Sequence, residues 1–465
     1  MSSESDASDA LDLQAPSDTD LEGEEFDRRP PNPWFRVFPP EPARDHVIFQ
    51  EVTGPVRPPP RDASPLAYFQ LFFTIELVRS FVIETNRYAA SFIERNQRAL
   101  GHASRVWRWL RTGGTTVSEI KAFVAVILDM GLIQKNRIAD YWEVKYRSQS
   151  TPWFRKIFSR NRFQLLLKFF HIVDNRAIPG RGEVGHDPRN KFQNLIDHCN
   201  RKFKQHYKPR EMLSIDESMV GSRNRCDLIQ FMPNKHHHRF GMKLWVVCEA
   251  STGYNLQLHA YGGARRDRGG ENGLGYDFVI DLLREARLLR KSHHVVVDNF
   301  YTSVPLARDL LDMETYLTGT LHHNRRFIPA MIRNARPQVG ETVYARQGEV
   351  LCAAYREKLS KPKPVLMLST HEPAQNDPGH NNPPKPVIVT TYNKYMCGVD
   401  ISDMMLFAYN DERKSMKYWK KMVFNVLHRM MLNAYIIYKQ NTTDQHIFTR
   451  EEFYKERSYA RCTLD

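Results

Sequence analysis

Apolar spacing divides the chain into a helical part and a mixed part. Between residues 64 and 174, apolar side chains recur every three or four positions, which is the spacing of amphipathic helices. One stripe runs from Leu71 to Val82. A second helix is predicted to begin at a capping box of Thr116 and Glu119 and to end at Gly131. A third helix is predicted in NRFQLLLKFFHIV. The pattern predicts core-forming helices.

After residue 208 the pattern changes to short runs rich in valine, isoleucine, leucine and aromatic residues. EMLSIDESMV, MKLWVVCEAS, NLQLHAYGG and HHVVVDNFYTS are predicted strands. The helical segments YDFVIDLLREARLL and SVPLARDLLDM alternate with the last of these strands and with TYLTGTL. This order predicts an α/β domain whose sheet is covered on both faces.

Two stretches differ from these parts in composition. Residues 325–395 hold two predicted strands, EVLCAAYR and PVLMLSTH, between linkers rich in proline, asparagine and lysine, and are interpreted as a separate insert. Helical spacing returns in DISDMMLFAYN and after Tyr418. Residues 1–64 are predicted to be a disordered arm, first acidic and then proline-rich. The aromatic residues from Trp34 to Phe38 are either a short docking segment or without a role.

Charge is distributed unevenly over the 465 residues. Residues 1–27 hold ten of the 53 carboxylates and none of the 67 lysines and arginines, which leaves a net charge of +24 on the rest. Such a body suits a polyanionic partner, although ordinary solubilising charge remains an alternative. The longest apolar stretch is broken by Glu76 and Arg79, so no membrane span or secretory signal is expected. Six dispersed cysteines without a CxxC pair predict reduced intracellular thiols.

Three aspartates stand at positions where a sheet or helix presents a ligand. Asp216 lies in the predicted strand LSIDES, Asp298 follows the apolar run VVV, and Asp400 begins the late helix with Asp403 one turn further on. Each alone is more typical of a cap, a turn or a salt bridge than of a metal ligand. Carboxylates that converge need a divalent cation, and oxygen-only ligands suit Mg²⁺ or Mn²⁺. Two such ions would support phosphoryl transfer.

Longer motifs occur in a definite order along the chain. They are PLAYFQLFFTIELVRSFVIETNRYA, SEIKAFVAVILDMGL, DYW, SRNRFQLLLKFFHIVDN, LSIDESMVGSRNR, MPNKHHHRFGMKLW, VVVDNFYTSVPLARDLL, YNKYMCGVDISDMM and RKSMKYWKKMVFNVL. In this order they resemble the piggyBac transposase family, including its domesticated members, from about residue 65 to 439.

The resemblance implies an RNase H-like catalytic core interrupted by a β-rich insertion domain and flanked by helical dimerisation and DNA-binding regions. The implied parts are a helical region at 65–208, the first part of the core at 209–324, the insertion at 325–395, the last core helix and returning helices at 396–440, and a tail at 441–465.

The resemblance also implies an activity and a set of site residues. Asp216, Asp298 and Asp400 would be catalytic and would bind two Mg²⁺ or Mn²⁺ ions, with Asp403 as a further acidic ligand. The family cuts DNA at transposon ends, forms a hairpin with the freed 3′-hydroxyl and joins the element into TTAA sites. DNA is therefore the expected partner, a homodimer the expected assembly, and the nucleus the expected location.

Basic residues flank these aspartates along the chain and are predicted to hold phosphates without reading sequence. The predicted DNA-binding residues are Arg223, Arg225, Lys235, Lys243, Arg265, Arg266, Arg413, Lys414, Lys417 and Trp419. Trp419 either stacks on a base or packs in the core. The triplet His236–His238 is interpreted as a solvated loop, since consecutive strand side chains point to alternate faces.

One departure from the family pattern leaves the function open. Relatives commonly end in a cysteine-rich zinc module, whereas Cys462 has no partner at zinc-finger spacing, so no zinc site is expected. The leading hypothesis is a DDD-type DNA transposase with Mg²⁺-dependent strand cleavage and transfer. The alternative is a domesticated DNA- or chromatin-binding protein without transposition activity. A metal-dependent hydrolase with another substrate fits the charge poorly.

Overall fold

The computed structural model describes residues 33–42, 44–233, 239–381, 384–411, 413–442 and 447–459. The helices are α1 Pro65–Gln70, α2 Ile75–Asn96, α3 Trp107–Arg111, α4 Val117–Leu132, α5 Pro152–Ile157, α6 Arg160–Phe169, α7 Gln193–His206, α8 Leu274–Ala286, α9 Val304–Asp312, α10 Ala330–Arg333, α11 Val387–Tyr395, α12 Gly398–Phe407, α13 Tyr418–Asn441 and α14 Arg450–Tyr459. Short 3₁₀ helices span Ile138–Trp142, Arg147–Gln149 and Pro188–Lys191.

The strands are β1 Phe35–Val37, β2 Gly54–Pro55, β3 Tyr207–Lys208, β4 Met212–Gly221, β5 Ile229–Phe231, β6 Phe240–Glu249, β7 Asn255–Ala260, β8 His294–Val297, β9 Tyr316–Leu321, β10 Thr342–Gln347, β11 Val350–Tyr355, β12 Val365–Ser369, β13 Asn376–Asn381 and β14 Pro384–Pro386. Ten of them form one sheet in the described part of the chain, in the order β1-β10-β11-β12-β9-β8-β4-β6-β5, with β7 also paired to β6. Every predicted strand named above is present.

Parallel and antiparallel pairs occupy different parts of this sheet. The parallel pairs are β4 with β8 and β8 with β9, whereas β6 runs antiparallel to β4 and to β7. The parallel ladder between β4 and β8 ends at the pair Ile215 and Val297. Beyond that pair β8 ends, whereas β4 continues to Gly221 paired with β6.

Helices cover both faces of the sheet, as the sequence predicts. On one face, Ser218 of β4 contacts Asp403 of α12 and Arg429 of α13. On the other face, Trp245 of β6 packs against Phe278 of α8, with ring centroids 4.8 Å apart. Because α13 is buried along most of its 24 residues, it joins the helical region to the sheet in one continuous core.

The predicted start of α4 is confirmed, but its predicted end is wrong. The Thr116 hydroxyl accepts a hydrogen bond from the Glu119 amide at 3.2 Å, which is one half of the capping box. The helix continues through Gly131 to Leu132. A Cβ atom at Gly131 would lie 1.9 Å from the Tyr409 carbonyl oxygen. Glycine is therefore required there by the close approach of another segment rather than by a helix end.

Replacing Gly131 by alanine is expected to lower the free energy of unfolding by about 1–3 kcal/mol, because a backbone segment has to move. The matched control is Gly101→Ala, since no atom lies within 4 Å of a Cβ placed there. Urea denaturation of both variants measures the difference. Equal stability of the two variants would contradict the packing of residue 409 on α4.

The arm is a second difference from the sequence-based prediction. Residues 1–32 lie outside the described residues, but the described part of the proline-rich half makes specific contacts with the sheet. β1 pairs antiparallel with β10, and the Glu41 carboxylate binds Arg346, whose side chain is 1 % exposed, at 2.5 Å. The aromatic segment 34–38 therefore docks on the sheet edge. Unpaired edge groups of a strand offer hydrogen bonds that a proline-rich segment cannot provide for itself.

The predicted insert does not form a sheet of its own. Its strands β10–β12 continue the main sheet, because β12 pairs antiparallel with β9. One face of these strands joins the main core, and the other forms a small separate core with Ile388 and Val389 of α11. Only β13 and β14 form a separate hairpin. Among the described residues, none of the helices combines the length and apolar character that a membrane crossing requires.

Candidate metal-binding active site

Asp216 and Asp298 lie on neighbouring strands at the same level of the sheet. Ile215 and Val297 form the last pair of the parallel ladder, and the two aspartates are the next residue on each strand. Neighbouring strands are about 4.8 Å apart. The two residues therefore stand side by side where the parallel ladder ends, and both are half-buried.

A tight turn holds Asp298 at the end of β8. Its Oδ1 accepts a hydrogen bond from the Phe300 amide at 2.8 Å, and its carbonyl accepts one from the Thr302 hydroxyl at 2.7 Å. Gly319 of β9 lies close to this turn, since a Cβ there would stand 2.7 Å from the Val297 carbonyl oxygen. The turn and the glycine together fix the backbone that presents the carboxylate.

Two contacts on either side of Asp216 bring Asp400 to the same place. Alternate residues of a strand share a face, so Asp216 shares one with Ser214 and Ser218. The Ser214 hydroxyl donates to the Met396 carbonyl at 2.9 Å, and the Ser218 hydroxyl donates to the Asp403 carboxylate at 2.7 Å. Asp400 lies between residues 396 and 403, just as Asp216 lies between the two serines. It is exposed in the first turn of α12, where the helix dipole favours a negative charge.

Three neighbouring side chains each have a pKa that at least two of these aspartates raise. Burial raises the pKa of the Tyr301 hydroxyl well above its usual range, and Asp216, Glu217 and Asp298 raise it further. Burial also raises the pKa of the Cys397 thiol, with further increases from Asp400 and Asp216.

The pKa of Tyr392 is also raised by two of these aspartates. Burial raises the pKa of its hydroxyl; a hydrogen bond with Thr320 lowers it, and Asp298 and Asp216 raise it again. Each aspartate of the predicted triad thus shares a neighbour with another. Asp216 and Asp298 lie at the same level on neighbouring strands and Asp400 lies near Asp216, and such oxygen donors suit a hard divalent cation.

Asp403 has a different environment from the other three. Its Oδ1 accepts hydrogen bonds from the Ser218 hydroxyl and from Arg429 Nη2 at 3.0 Å, and the Arg429 side chain is fully buried. Arg429 also donates to Asn255 and Asn425. These contacts place Asp403 in a buried network that fastens α12 to β4. Its role as a metal ligand stays a prediction.

Lys243 lies beside the turn that holds Asp298, within a group of aromatic rings. Its ammonium stands 3.7 Å from the centroid of the Trp245 ring and 5.3 Å from that of Phe300. The faces of aromatic rings attract a cation. Positive charge is therefore held close to the aspartates, but on the face of the sheet that Trp245 occupies.

Basic residues predicted from separate segments come together on three adjoining loops. The Asn224 amide donates to the Ser415 carbonyl at 3.0 Å, and Arg266 contacts Asp227 at 3.4 Å. These contacts join the loops around residues 224, 266 and 415. Their exposed cationic side chains, hereafter the basic surface, are Arg223, Arg225, Arg265, Lys414 and Lys417. The surface begins about 17 Å along β4 from Asp216.

Other predicted DNA-binding residues are placed differently. Trp419 is 4 % exposed and packs near Phe170 and His171, so the structure favours its packing role over base stacking. Arg413 is largely buried and paired with Asp411. Arg266 is half-buried. Lys235, like the His236–His238 triplet, lies outside the described residues.

The sequence interpretation missed several residues around the aspartates. Glu217, Tyr301, Tyr392 and Cys397 stand within the motifs ESMV, DNFYT and YNKYMCGVD, next to the residues that were singled out. Their proximity in the sequence was the available signal. It carries no information on side-chain direction, which depends on the turn after β8 and on the packing of α11 and α12.

The chain is similar to known transposases over most of its length. A family model described as Transposase IS4 matches residues 64–435. The chain therefore belongs to this transposase family. Two human relatives support the predicted piggyBac resemblance. PiggyBac transposable element-derived protein 3 is 24 % identical over 423 residues, and PiggyBac transposable element-derived protein 2 is 23 % identical over 426 residues.

The matched regions differ in how much of each protein they cover. They include 84 % and 86 % of this chain, but 65 % of the length of each of these two human relatives. A solved structure, titled as the piggyBac transposase synaptic complex with hairpin DNA, superposes with a TM-score of 0.77 at 26 % identity. It covers 88 % of this chain and 82 % of that one. The predicted piggyBac resemblance is confirmed, and with it the mixed α/β fold.

Proposed function

We propose that the chain is a piggyBac-like DNA transposase or a protein derived from one, with Mg²⁺-dependent strand cleavage and transfer at Asp216, Asp298 and Asp400. The observation that supports the proposal is the pair of contacts that flank Asp400 in the chain, from the Ser214 hydroxyl to the Met396 carbonyl just before α12 and from the Ser218 hydroxyl to Asp403 within α12. Asp298 completes the group from the neighbouring strand.

The sheet order supports the proposal of an RNase H-like core. In the order β7-β6-β4-β8-β9, β6 runs antiparallel to both β7 and β4. β8 runs parallel to β4, and β9 runs parallel to β8. The aspartates stand at the carboxyl ends of the parallel part, where open α/β sheets bind ligands. The proposed insertion, residues 325–395, would extend this core through β10–β12.

The chemistry assigned to the site follows from its donor atoms. Two bound Mg²⁺ or Mn²⁺ ions would activate a water or a 3′-hydroxyl and stabilise the leaving oxygen of the phosphodiester. Asp216, Asp298 and Asp400 would hold the ions. Arg429, Ser218 and Asp403 would keep α12 in register with β4, and so act as positioning residues. Hairpin formation and TTAA joining belong to this proposal by analogy with the family.

DNA is the proposed substrate because the basic surface lies at the far end of β4, the strand that carries Asp216, within the length of a bound DNA segment. Cations at Arg223, Arg225, Arg265, Lys414 and Lys417 suit contacts with phosphates, which position DNA without reading its sequence. Lys243 would add positive charge beside Asp298. The solved piggyBac transposase contains hairpin DNA according to its title, which supports the same substrate class. A homodimer and a nuclear location remain part of the proposal, on the resemblance alone.

A second candidate is a domesticated DNA- or chromatin-binding protein without strand transfer. The human relatives are named as transposable element-derived proteins, and the chain spans only 65 % of their length. A plasmid nicking assay separates the two functions. The transposase proposal expects Mg²⁺-dependent nicking by the wild-type chain, whereas DNA binding without nicking, in Mg²⁺ or in Mn²⁺, would favour the second candidate.

The basic surface yields a prediction for DNA binding. Each lost phosphate contact lowers the slope of log affinity against log salt concentration by about 1, so Lys414→Ala combined with Lys417→Ala is expected to reduce it by about 2. The control carries Lys361→Ala and Lys363→Ala, two exposed lysines on another loop. Fluorescence anisotropy at several salt concentrations measures the slopes. Equal slopes for both double variants would exclude the basic surface as the phosphate-binding site.

A further inference from the structure

A second group of metal-ligating side chains lies at the opposite end of β8 from the aspartates. His294 begins this strand, whereas Asp298 follows its last residue. His294, His371 and Glu372 each offer one ligand atom, and these three atoms all lie within 4.8 Å of one another. The group is about 13 Å along the strand from Asp298, so it is separate from the candidate active site.

The sheet topology explains why residues so distant in sequence meet. β8 and β9 are parallel, and β12 runs antiparallel to β9, with Ser369 opposite Thr318. The carboxyl end of β12 therefore returns to the level where β8 begins. His371 and Glu372 follow β12 directly, which places them beside His294.

A hydrogen-bonded chain of hydroxyl groups orients these ligands. His294 Nε2 is bonded to the Thr318 hydroxyl at 2.7 Å, and Thr318 is bonded to the Ser369 hydroxyl at 2.7 Å. The amides of His371 and Glu372 donate to the same Ser369 oxygen at 3.1 and 2.9 Å. Metal-binding histidines commonly have their second nitrogen held in this way.

The charges within the group also favour a cation. Glu372 is 8 % exposed, and its Oε1 lies 3.2 Å from His371 Nδ1. The His294 ring is buried beside that of His371, with the ring centroids 4.6 Å apart. Neutral imidazole is the form that binds metals, and a buried carboxylate requires a compensating charge. A metal ion bound by both side chains would take the place of the hydrogen bond between His371 Nδ1 and Glu372 Oε1.

We propose that His294, His371 and Glu372 form a binding site for a divalent transition metal of the Zn²⁺ class. Two imidazole nitrogens and one carboxylate oxygen suit Zn²⁺, whereas the all-oxygen aspartate group suits Mg²⁺. Three protein ligands leave a fourth position for water. The ion would fasten the loop after β12 to the start of β8. The arm lies over the same loop, since His46 Nε2 bonds to the His371 carbonyl at 2.7 Å and the two rings stack.

The test measures zinc on the full chain and does not involve DNA cleavage, so it is independent of the proposed transposase activity. The background chain carries asparagine at His236, His237 and His238, which removes the histidine triplet as a competing ligand. After chelation, Zn²⁺ is added back in excess Mg²⁺, free metal is removed by gel filtration, and bound zinc is measured by mass spectrometry. The variants are His371→Asn and Glu372→Gln, and the control is His323→Asn, an exposed histidine outside the group.

The proposal expects one zinc per chain in the background and in His323→Asn, and at least a tenfold weaker affinity in the two variants. Zn²⁺ should also raise the melting temperature of the background but not of Glu372→Gln, because binding to the folded state alone stabilises it. Cobalt absorption spectra provide a direct readout of nitrogen and oxygen ligation. No retained zinc in the background, or equal zinc in background and variants, would overturn the proposal.

Discussion

Replacing Asp298 by asparagine is expected to reduce Mg²⁺-dependent DNA strand cleavage by about a thousandfold or more. Metal ions stabilise transition-state charge by several kcal/mol, and a loss of about 4 kcal/mol corresponds to a thousandfold in rate. Asparagine keeps the oxygen that accepts the Phe300 amide, so the turn after β8 is retained. The loss would therefore reflect the missing charge rather than a change in fold.

The matched control for this variant is Asp281→Asn, which makes the same change in an exposed ion pair with Arg284 on α8. Cleavage of plasmid DNA in Mg²⁺ is measured for wild type and both variants, together with their affinity for DNA. Wild-type activity in Asp298→Asn would remove this residue from the chemistry. A loss of DNA binding equal to the loss of cleavage would reassign Asp298 from metal binding to DNA binding.

Replacing Arg429 by methionine is expected to lower the free energy of unfolding by about 3–5 kcal/mol, because it leaves the Asp403 carboxylate buried without its cation. Arg429 is fully buried and donates to Ser218, Asn255, Asn425 and Asp403. Urea denaturation measures the loss. Because the network also fastens α12 to β4, cleavage activity should fall together with stability.

A double variant distinguishes the buried charge from other effects of the substitution. Adding Asp403→Leu to Arg429→Met removes the uncompensated carboxylate, so the double variant is expected to be more stable than the single one. Arg284→Met, in a pair whose side chains are 62 % and 57 % exposed, is the control and should change stability by less than about 1 kcal/mol. A single variant as stable as this control would contradict the structural role of the network.

The positions of the aspartates were predictable because simple rules of chain geometry govern them. An aspartate that follows a buried apolar strand lies at the end of that strand, as Asp298 does, and period-two alternation gives the face on which Asp216 lies. Asp400 was predictable as a residue of a helix start. These rules describe local structure, and the motif order supplied the family in which such aspartates occur together.

Other features depend on contacts between distant segments, which a single sequence does not contain. Gly131 resembles a helix end in sequence, but it is required by the approach of residue 409. The proline-rich arm has the composition of a disordered segment, yet β10 supplies the hydrogen bonds that order β1. Likewise, the sequence does not show that Asp403 pairs with Arg429 of α13.

The group formed by His294, His371 and Glu372 was hidden for the same reason. His294 lies more than seventy residues before His371 and Glu372, and the three meet only because β12 returns beside β9. The expectation of no zinc site came from the spacing of cysteines and histidines along the chain. Spacing rules detect sites built on one turn or hairpin, whereas this group spans three strands of a sheet.

The central claim is that Asp216, Asp298 and Asp400 together bind divalent metal. The most direct test is anomalous diffraction from crystals of the full chain grown with Mn²⁺. The account predicts manganese between these three carboxylates, as two ions about 3.5–4 Å apart when DNA is present. Manganese that is absent from this position at saturating concentration, or bound only at other residues, would contradict it.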